Sequence, residues 1–519
     1  MLLLKMFSIS IITFCLLCLL FISKTSSASI DSDLTVDKAN EYIQQHKDTI
    51  DQTYRPKYHF AAPIGWINDP NGVIFFRGEY HLFYQYNPYN TYSQRIHWGH
   101  AKSKDLIHWE HLPVALAPDQ YYDWDGVFSG SAIVKDDKLY LIYTGHTWQN
   151  EVQCVAVSED GIHFEKVPQN PVLDANDLPP NAQRQDFRDP KVIQRGDTYY
   201  LVVASKTNSN TGQLLLYQSS DLIDWQFKSI LLEGSREEGE MWECPDLFEL
   251  EGKDVLIMSP ISYPRSGNDY YNSHSVLEFV GEIDWEQGKL KVESLKEIDH
   301  GMDYYATQTI LGDQNRRIAI AWMSMWGRNY PTDTLGHKWA GSMTLPRELH
   351  LKDNKLIQVP ISVSAISQSP IEINNVVLNN EAKQFEGVAG EVALLELVVN
   401  LEEARLLKLH LRKNSKEETI VSFDSNSKEV TLDRSNSGIS IIGSENPPFS
   451  SRKVEVSLKQ NKLSLQIFLD QSSIEVFVNG GEETLTATVY PTELPSNGIL
   501  FEAEGKVVIE SLSFALLNP

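Results

Sequence analysis

Cysteine is nearly absent from this chain, with 4 residues in 519. Cys15 and Cys18 fall inside an N-terminal apolar run, which leaves Cys154 and Cys244 for the folded part. Two isolated thiols exclude a disulfide framework. No Asn-x-Ser/Thr sequon occurs, so burial alone must hold the fold, without staples or N-linked glycans. Positive charge is also scarce: 45 Lys and Arg face 70 Asp and Glu, a formal net charge of -25. That balance argues against nucleic acid and anionic membrane as partners, and does not repel a neutral small ligand. Long apolar runs are missing too, with one exception. Lys5 precedes the run Met6–Ile22, and Ser26, Ser27 and Ala28 follow it. Ser8, Ser10 and Thr13 interrupt the run, which is barely long enough to span a bilayer. Residues 1–28 therefore read as a signal peptide cleaved after Ala28, and the expected location is secreted and extracellular, with no membrane attachment after cleavage.

Chemical motifs of several enzyme classes are missing as well. There is no His-Glu-x-x-His, no Gly-rich phosphate loop and no nucleophilic-serine elbow. His97–His100 and His108–His111 are each spaced by three, but residues three apart on a strand face opposite sides. They read as loop or hydrogen-bonded histidines, and neither a metal nor a cofactor is expected.

What the sequence does contain is a repeat. Apolar strand-like runs recur every sixty residues or so, at Tyr80–Tyr86, Leu139–Thr144, Tyr199–Ala204, Val255–Ser259 and Ile318–Met323. A second element follows the first three of them: Ser103 to Trp109, Ser158 to Phe164 and Ser219 to Trp225, each opening on Ser-x-Asp and closing on an aromatic residue. Ser and Asp open turns, and the aromatic starts a further strand. A period of this length, made of short strands, predicts an all-β fold: a five-bladed β-propeller over residues 58–360. Long helical patterns are absent, which argues against a (β/α)8 barrel. From residue 361 the repeat stops and alternating strands continue, so 361–519 is expected to be a C-terminal β-sandwich. Residues 29–57 read as an N-terminal extension with a short helix.

Polar motifs stand ahead of each recurring run: Trp66-Ile-Asn-Asp-Pro-Asn-Gly72, Asp125-Gly-Val-Phe-Ser-Gly-Ser131, Arg188-Asp-Pro190, Trp242-Glu-Cys-Pro-Asp246 and Asp303-Tyr-Tyr-Ala306. In a propeller, corresponding positions of successive blades converge on the axis. Asp69, Asp189 and Glu243 would then meet in one funnel, and paired carboxyl groups are what glycoside cleavage requires. Each motif also has a plain structural reading. Asp69-Pro70 with Asn71-Gly72 is a turn signature, and so is Asp189-Pro190. A carboxylate at the same point of three blades is harder to assign to turns, and Glu243 between Trp242 and Cys244 is costly to bury without purpose. Arg188 reads either as an ion-pair partner of Asp189 or as a sugar contact. Trp66, Trp98, Phe128, Tyr304, Tyr305 and Trp322 read as core or as platforms for sugar faces.

Taken together, Trp66–Gly72, Phe128–Ser131, Arg188–Pro190 and Glu243–Asp246 resemble glycoside hydrolase family 32, the invertases, levanases and inulinases. Gln85 in Tyr-Gln-Tyr-Asn-Pro88, Asp303–Ala306, Asp433–Ser435 and Phe468–Phe477 fit the same family. The resemblance implies a β-fructofuranosidase acting on a small sugar, sucrose or a fructan. It implies Asp69 as nucleophile, Glu243 as acid/base and Asp189 as transition-state stabiliser. It also implies a pocket lined by Trp66, Asn68, Gln85, Phe128, Ser129, Arg188, Asp303, Tyr304 and Trp322, without cofactor or metal. One departure concerns the loop after Tyr-Asn-Pro, where relatives often carry tryptophan: residues 89–97 offer Tyr89 or Tyr92. Rival readings are an inverting glycosidase on the same propeller, a non-catalytic sugar-binding propeller and a fructosyltransferase. Because the two remaining cysteines lie in separate blades, the secreted chain is expected to titrate as two thiols after denaturation without reductant. A count of zero would reveal a bridge and overturn the reading of the fold.

Overall fold

The structure, a computed structural model, describes residues 34–519. The expected signal peptide lies outside the described residues. Helix α1 spans Val36–His46, with Thr35 as its N-cap accepting the Lys38 N–H. Its buried residues are Ala39 and Ile43.

Five antiparallel blades follow. Blade 1 contains β1 (Gly65–Phe76), β2 (Glu79–Asn87), β3 (His97–Ser103) and β4 (Trp109–Leu116). Blade 2 contains β5 (Gly126–Lys135), β6 (Lys138–His146), β7 (Glu151–Ser158) and β8 (Glu165–Lys166). Blade 3 contains β9 (Ala182–Arg195), β10 (Thr198–Thr207), β11 (Gly212–Ser219) and β12 (Gln226–Glu233). Blade 4 contains β13 (Trp242–Leu250), β14 (Lys253–Pro260), β15 (Leu277–Asp284) and β16 (Lys289–Glu297). Blade 5 is built from β17 (Tyr305–Leu311) and β18 (Arg317–Trp322), then, after a two-residue strand β19 (Trp339–Ala340), from β20 (Arg347–Lys352) and β21 (Lys355–Pro360). The strand β19 pairs in parallel with β1, Gly65 facing Trp339, and so ties blade 5 back to blade 1.

The recurring apolar runs are the second strands of the blades. The polar motifs ahead of these runs fall on the first strands, except that Asp125 precedes β5 and Asp303 and Tyr304 precede β17. The repeated Ser-x-Asp element is a turn between third and fourth strands, built the same way three times. Ser103 Oγ accepts the Leu106 N–H at 2.8 Å, Ser158 Oγ the Gly161 N–H at 2.8 Å and Ser219 Oγ the Leu222 N–H at 3.1 Å. The third residue after each serine has positive φ, at 68° for Leu106, 77° for Gly161 and 78° for Leu222.

The C-terminal β-sandwich comprises β22 (Ile371–Asn379), β23 (Ala382–Lys383), β24 (Ala393–Lys413), β25 (Glu418–Asp424), β26 (Glu429–Asn436), β27 (Ser451–Glu455), β28 (Lys462–Asp470), β29 (Ser473–Val478), β30 (Glu483–Thr488) and β31 (Gly498–Leu516). The long strands β24 and β31 pair along most of their length. Around the bulge at Asn400–Glu403, β24 passes from β28 to β25 as its other neighbour. Leu395, Leu397, Leu407, Leu409, Ile467 and Phe501 fill the core between.

Buried charge fastens the two domains. The turn between β28 and β29 aims Asp470 and Glu475 at His59: Nδ1 lies 2.8 Å from Asp470 and Nε2 2.8 Å from Glu475. Glu475 also accepts from Arg347, whose second nitrogen reaches Asp299 at 3.0 Å. Burial opposes the charge on His59, but the hydrogen bonds and charges of Asp470 and Glu475 outweigh it and raise the imidazole to about 9. A histidine raised in the folded state stabilises fully below its unfolded value of about 6.5, and that stabilisation is lost as pH rises through the folded value. The melting temperature is therefore expected to fall between pH 7 and 9.5, by the equivalent of roughly 3 kcal/mol. His59→Gln should melt lower and lose this dependence. An unchanged slope in the variant would refute the clasp.

Candidate active site

Each innermost strand is interrupted by a register shift at its polar motif. The shifts fall between Ile67 and Pro70, Phe128 and Gly130, Arg188 and Lys191, Glu243 and Asp246, and Tyr305 and Gln308. Asp189, Cys244 and Ala306 sit there with φ of 61°, 50° and 56°. A bulge breaks the alternation of side chains along a strand, so two successive residues can serve one face. The last paired residues before the shifts are Ile67, Phe128, Arg188, Glu243 and Tyr305, and the residues that follow them are Asn68, Ser129, Asp189, Cys244 and Ala306. The sequence expectation of three carboxylates at one equivalent point is therefore corrected. Glu243 is the last paired residue of its strand, Asp189 stands one residue beyond that point and Asp69 two, and Cys244 is the blade-4 counterpart of Asp189.

The three carboxyls nevertheless converge, with Cys244 among them. Its Sγ is 3.4 Å from Asp69 Oδ2 and 3.6 Å from Asp189 Oδ2, and its N–H donates to Asp189 Oδ2 at 2.9 Å. Ser129 Oγ donates to Asp69 Oδ2 at 2.6 Å. A relay fixes the other oxygen: Trp66 Nε1 donates to Asn68 Oδ1 at 2.7 Å, and Asn68 Nδ2 donates to Asp69 Oδ1 at 3.0 Å. Glu243 is held from two sides. Arg188 donates to its Oε1 at 2.8 and 3.1 Å, and Tyr305 OH donates to its Oε2 at 2.7 Å. Arg188 also binds Glu151 at 3.2 Å and Asp186 at 2.9 Å. Of the two readings of Arg188, the ion pair with Asp189 is not made by a hydrogen bond: the guanidinium bridges to Glu243 in the next blade, and only its charge acts on Asp189.

Burial raises the Asp69 pKa, and nearby Glu243 adds to the rise, while hydrogen bonds from Ser129, Asn68 and Cys244 oppose it. Burial likewise raises Asp189, with Glu243 and Asp69 adding and Arg188 opposing. Burial disfavours charge on Arg188, yet Glu151, Glu243, Asp189 and Asp186 together hold it well above its usual value. The Cys244 thiol is pushed far up by burial and by the same acids, which suits packing and hydrogen bonding rather than nucleophilic attack.

Other expected site residues divide. Gln85 is buried and donates to the Val127 carbonyl at 2.9 Å, linking blades 1 and 2. The Phe128 ring stacks on His146 at 4.0 Å. Trp66 packs against Trp322 at 5.6 Å and Tyr330 at 4.6 Å, and Trp322 against Trp326 at 4.9 Å, forming an aromatic wall between blades 1 and 5. Trp98 is fully buried and donates to the Phe128 carbonyl, so its place is the core behind the site. Asp303 is not bonded to the acid cluster: its oxygens are taken by Arg328, Arg434 and Thr488 at the domain junction. Tyr304 lies under the Arg347 guanidinium, 4.7 Å from ring to charge, and the neighbouring Tyr305 is the one that reaches Glu243. In the departing loop, Tyr89 packs on Tyr42 of α1 and Tyr92 is exposed. Glu151 and Asp186, which neutralise Arg188, carried no signal in the sequence. A cavity of about 650 Å³ opens where the distal parts of the innermost strands meet, lined by Ile74, Ala132, Val192, Leu247 and Thr309. It contains none of the three carboxyls, so the chemistry is not assigned there.

A propeller whose funnel gathers three carboxyls from three blades, two of them desolvated and one bracketed by Arg and Tyr, defines a glycoside hydrolase. The chain belongs to glycosyl hydrolase family 32: the family's N-terminal domain matches residues 59–360 and its C-terminal domain residues 362–515. It is 38% identical over 491 residues to the sucrose-6-phosphate hydrolase of Zymomonas mobilis, covering 90% of this chain and 92% of that protein. It is 37% identical over 476 residues to the raffinose invertase of Escherichia coli, covering 88% and 94%. Among solved structures, the Bombyx mori GH32 beta-fructofuranosidase superposes with a TM-score of 0.78 at 34% identity, covering 93% of this chain and 98% of that one. The reassignment of the two tyrosines has a direct test. Tyr305→Phe removes a bond to a carboxylate and should lower kcat/KM about 10- to 100-fold at unchanged melting temperature, whereas Tyr304→Phe should stay within about twofold of the parent. The reverse order would refute the placement.

Proposed function

We propose that the enzyme is a retaining β-fructofuranosidase, exo-acting, with sucrose as its simplest substrate. The observation that carries this reading is the convergence of Asp69 and Asp189 on Cys244, next to Glu243, with Asp69 oriented by Ser129 and Asn68 and Glu243 by Arg188 and Tyr305. Asp69 attacks the anomeric C2 of the fructosyl unit. The C2–O bond to the leaving sugar breaks, and its electron pair stays on that oxygen, which takes the proton of Glu243. A fructosyl ester on Asp69 results. Water then gives a proton to Glu243, its oxygen bonds to C2, and Asp69 leaves as carboxylate. Two inversions release fructose as the β-anomer. Asp189 accepts hydrogen bonds from ring hydroxyls, and the Cys244 N–H and Thr144 keep it in place.

The relatives named above are a sucrose-6-phosphate hydrolase, a raffinose invertase and a beta-fructofuranosidase. The cations that border Glu243 and Asp186 support an unphosphorylated substrate. Phosphate recognition calls for free Arg or Lys. Arg188 is already matched by Glu243, Glu151 and Asp186, and Lys206 by Asp186 at 2.8 Å. Sucrose should therefore have a higher kcat/KM than sucrose 6-phosphate, and the opposite ranking would reassign the substrate. Secretion is part of the same proposal; the N-terminus of the exported protein should read Ser29.

Three variants test the roles. Asp69→Ala should abolish turnover. Glu243→Ala should lose about 10²–10⁴-fold and regain activity with azide, which needs no general base. Ser129→Ala removes a bond that lowers the Asp69 pKa. Activity that needs ionised Asp69 is lost as pH falls through that pKa, so the acid limb of the pH profile should move to higher pH in this variant. Movement to lower pH would contradict the assignment of Asp69.

A further inference from the structure

The rim of blade 2 carries exposed aromatic rings that the site described so far does not use. β5 begins, and β6 ends, at the end of the blade that bears Phe128 and Ser129. The segment 117–125 and the loop 147–150 therefore both lie at the mouth of the funnel. Trp148 in that loop is 72% exposed, and its ring stands against Trp124 at 5.2 Å and 66°. Tyr121 beside them is 67% exposed. Large aromatic side chains presented together to water mark a binding surface more often than an accident of packing.

The rings are seated on an ordered frame. Thr147 and Asn150 close the loop on each other, the Thr147 N–H donating to the Asn150 carbonyl at 3.0 Å and the Asn150 N–H to Thr147 Oγ1 at 3.2 Å. On the other side, buried Asp123 accepts from Lys166 at 2.6 Å and from the Gln120 N–H at 2.8 Å, just before Trp124. A surface ordered in advance loses less entropy when it binds.

Contacts also connect the platform to the acid. His146, two residues before Trp148, stacks on Phe128 and lies 3.2 Å from Glu151. Glu151 holds Arg188, and Arg188 holds Glu243. Glu243 protonates the leaving oxygen, so the leaving sugar sits above the acid cluster, from which the chain of Glu243, Arg188, Glu151 and His146 leads to the rim of blade 2. Units beyond the first must run outward towards the rim. Sugar rings present apolar C–H faces, and tryptophan offers a large rigid surface for them.

We infer that Trp148 and Trp124 form a carbohydrate-stacking subsite for the outer unit of a leaving group longer than one sugar. The inference rests on the β-fructofuranosidase reading. It makes a trisaccharide with a terminal fructosyl group, such as raffinose, a better-bound substrate than sucrose.

The test compares KM and kcat for raffinose and sucrose in the parent, Trp148→Ala, Trp124→Ala, Trp148→Phe and the control Phe227→Ala. Phe227 is an exposed ring on the outer strand β12. Trp148→Ala should raise KM for raffinose about three- to tenfold more than KM for sucrose, with little change in kcat. Trp148→Phe should recover most of the loss, and Phe227→Ala should show none. Equal changes for the two sugars would overturn the subsite. So would a shift in oligomeric state of Trp148→Ala by light scattering, which would make the rings a contact between copies of the chain. A parent enzyme that cleaves neither sugar would instead refute the fructofuranosidase reading, and the subsite with it.

Discussion

The bulge repeated in every innermost strand is the constraint on which the site depends. A regular strand would turn only alternate residues towards the axis. With the bulge, Arg188 and Asp189 of blade 3 both engage the next blade, the first through Glu243 and the second through Cys244. The cost is backbone strain. Asp189, Cys244 and Ala306 are non-glycine residues at positive φ, and each such residue costs on the order of 1–3 kcal/mol. Ring closure through β19 and the packing between blades hold them there. The same narrowing that brings the acids together strips them of water, and burial is the largest influence on the pKa of Asp69 and of Asp189. Geometry and electrostatics of the site thus share one origin.

The second structural theme is charge buried between the domains. His59, Asp470, Glu475, Arg347 and Asp299 form one hydrogen-bonded chain, and Asp303 with Arg328 and Arg434 another. Desolvation cancels much of the attraction in such pairs, so their net stabilisation is small, but removing one partner is costly. They fix where the sandwich sits against the propeller. Arg328 carries this fixation towards the site, because it joins Asp303 and Glu445 within the segment that bears Trp326 and Tyr330. Those rings complete the aromatic wall against Trp66. Among the described residues both cysteines are unpaired, so contacts of this kind do the fastening.

The local periodicity of the sequence was enough to read the blades. Five apolar runs at constant spacing and three Ser-x-Asp turns follow from near-neighbour chemistry, and both are present. The acids were legible because proline and acidic motifs fall in step with the repeat. What was not legible depends on pairing across blades. The bulges decide that Asp69, Asp189 and Glu243 stand at three different steps of their strands, and that Tyr305 rather than Tyr304 reaches Glu243. No local pattern encodes such a register shift. Asp303 stood in a motif shared with the site, yet its partners Arg328 and Arg434 come from elsewhere in the chain. Trp98 shows the same limit: an indole next to a motif is as useful behind the site as in it. Glu151 and Asp186 become visible only once Arg188 is placed between them.

The most direct measurement is peptide mapping of the reaction with sucrose, quenched in acid during turnover and read by mass spectrometry. The expected result is one added fructosyl unit on the peptide that contains Asp69, absent from the Asp69→Ala variant. An adduct on the peptide carrying Asp189 or Glu243, or no adduct together with α-fructose as the first product, would contradict the assignment of Asp69 as the nucleophile.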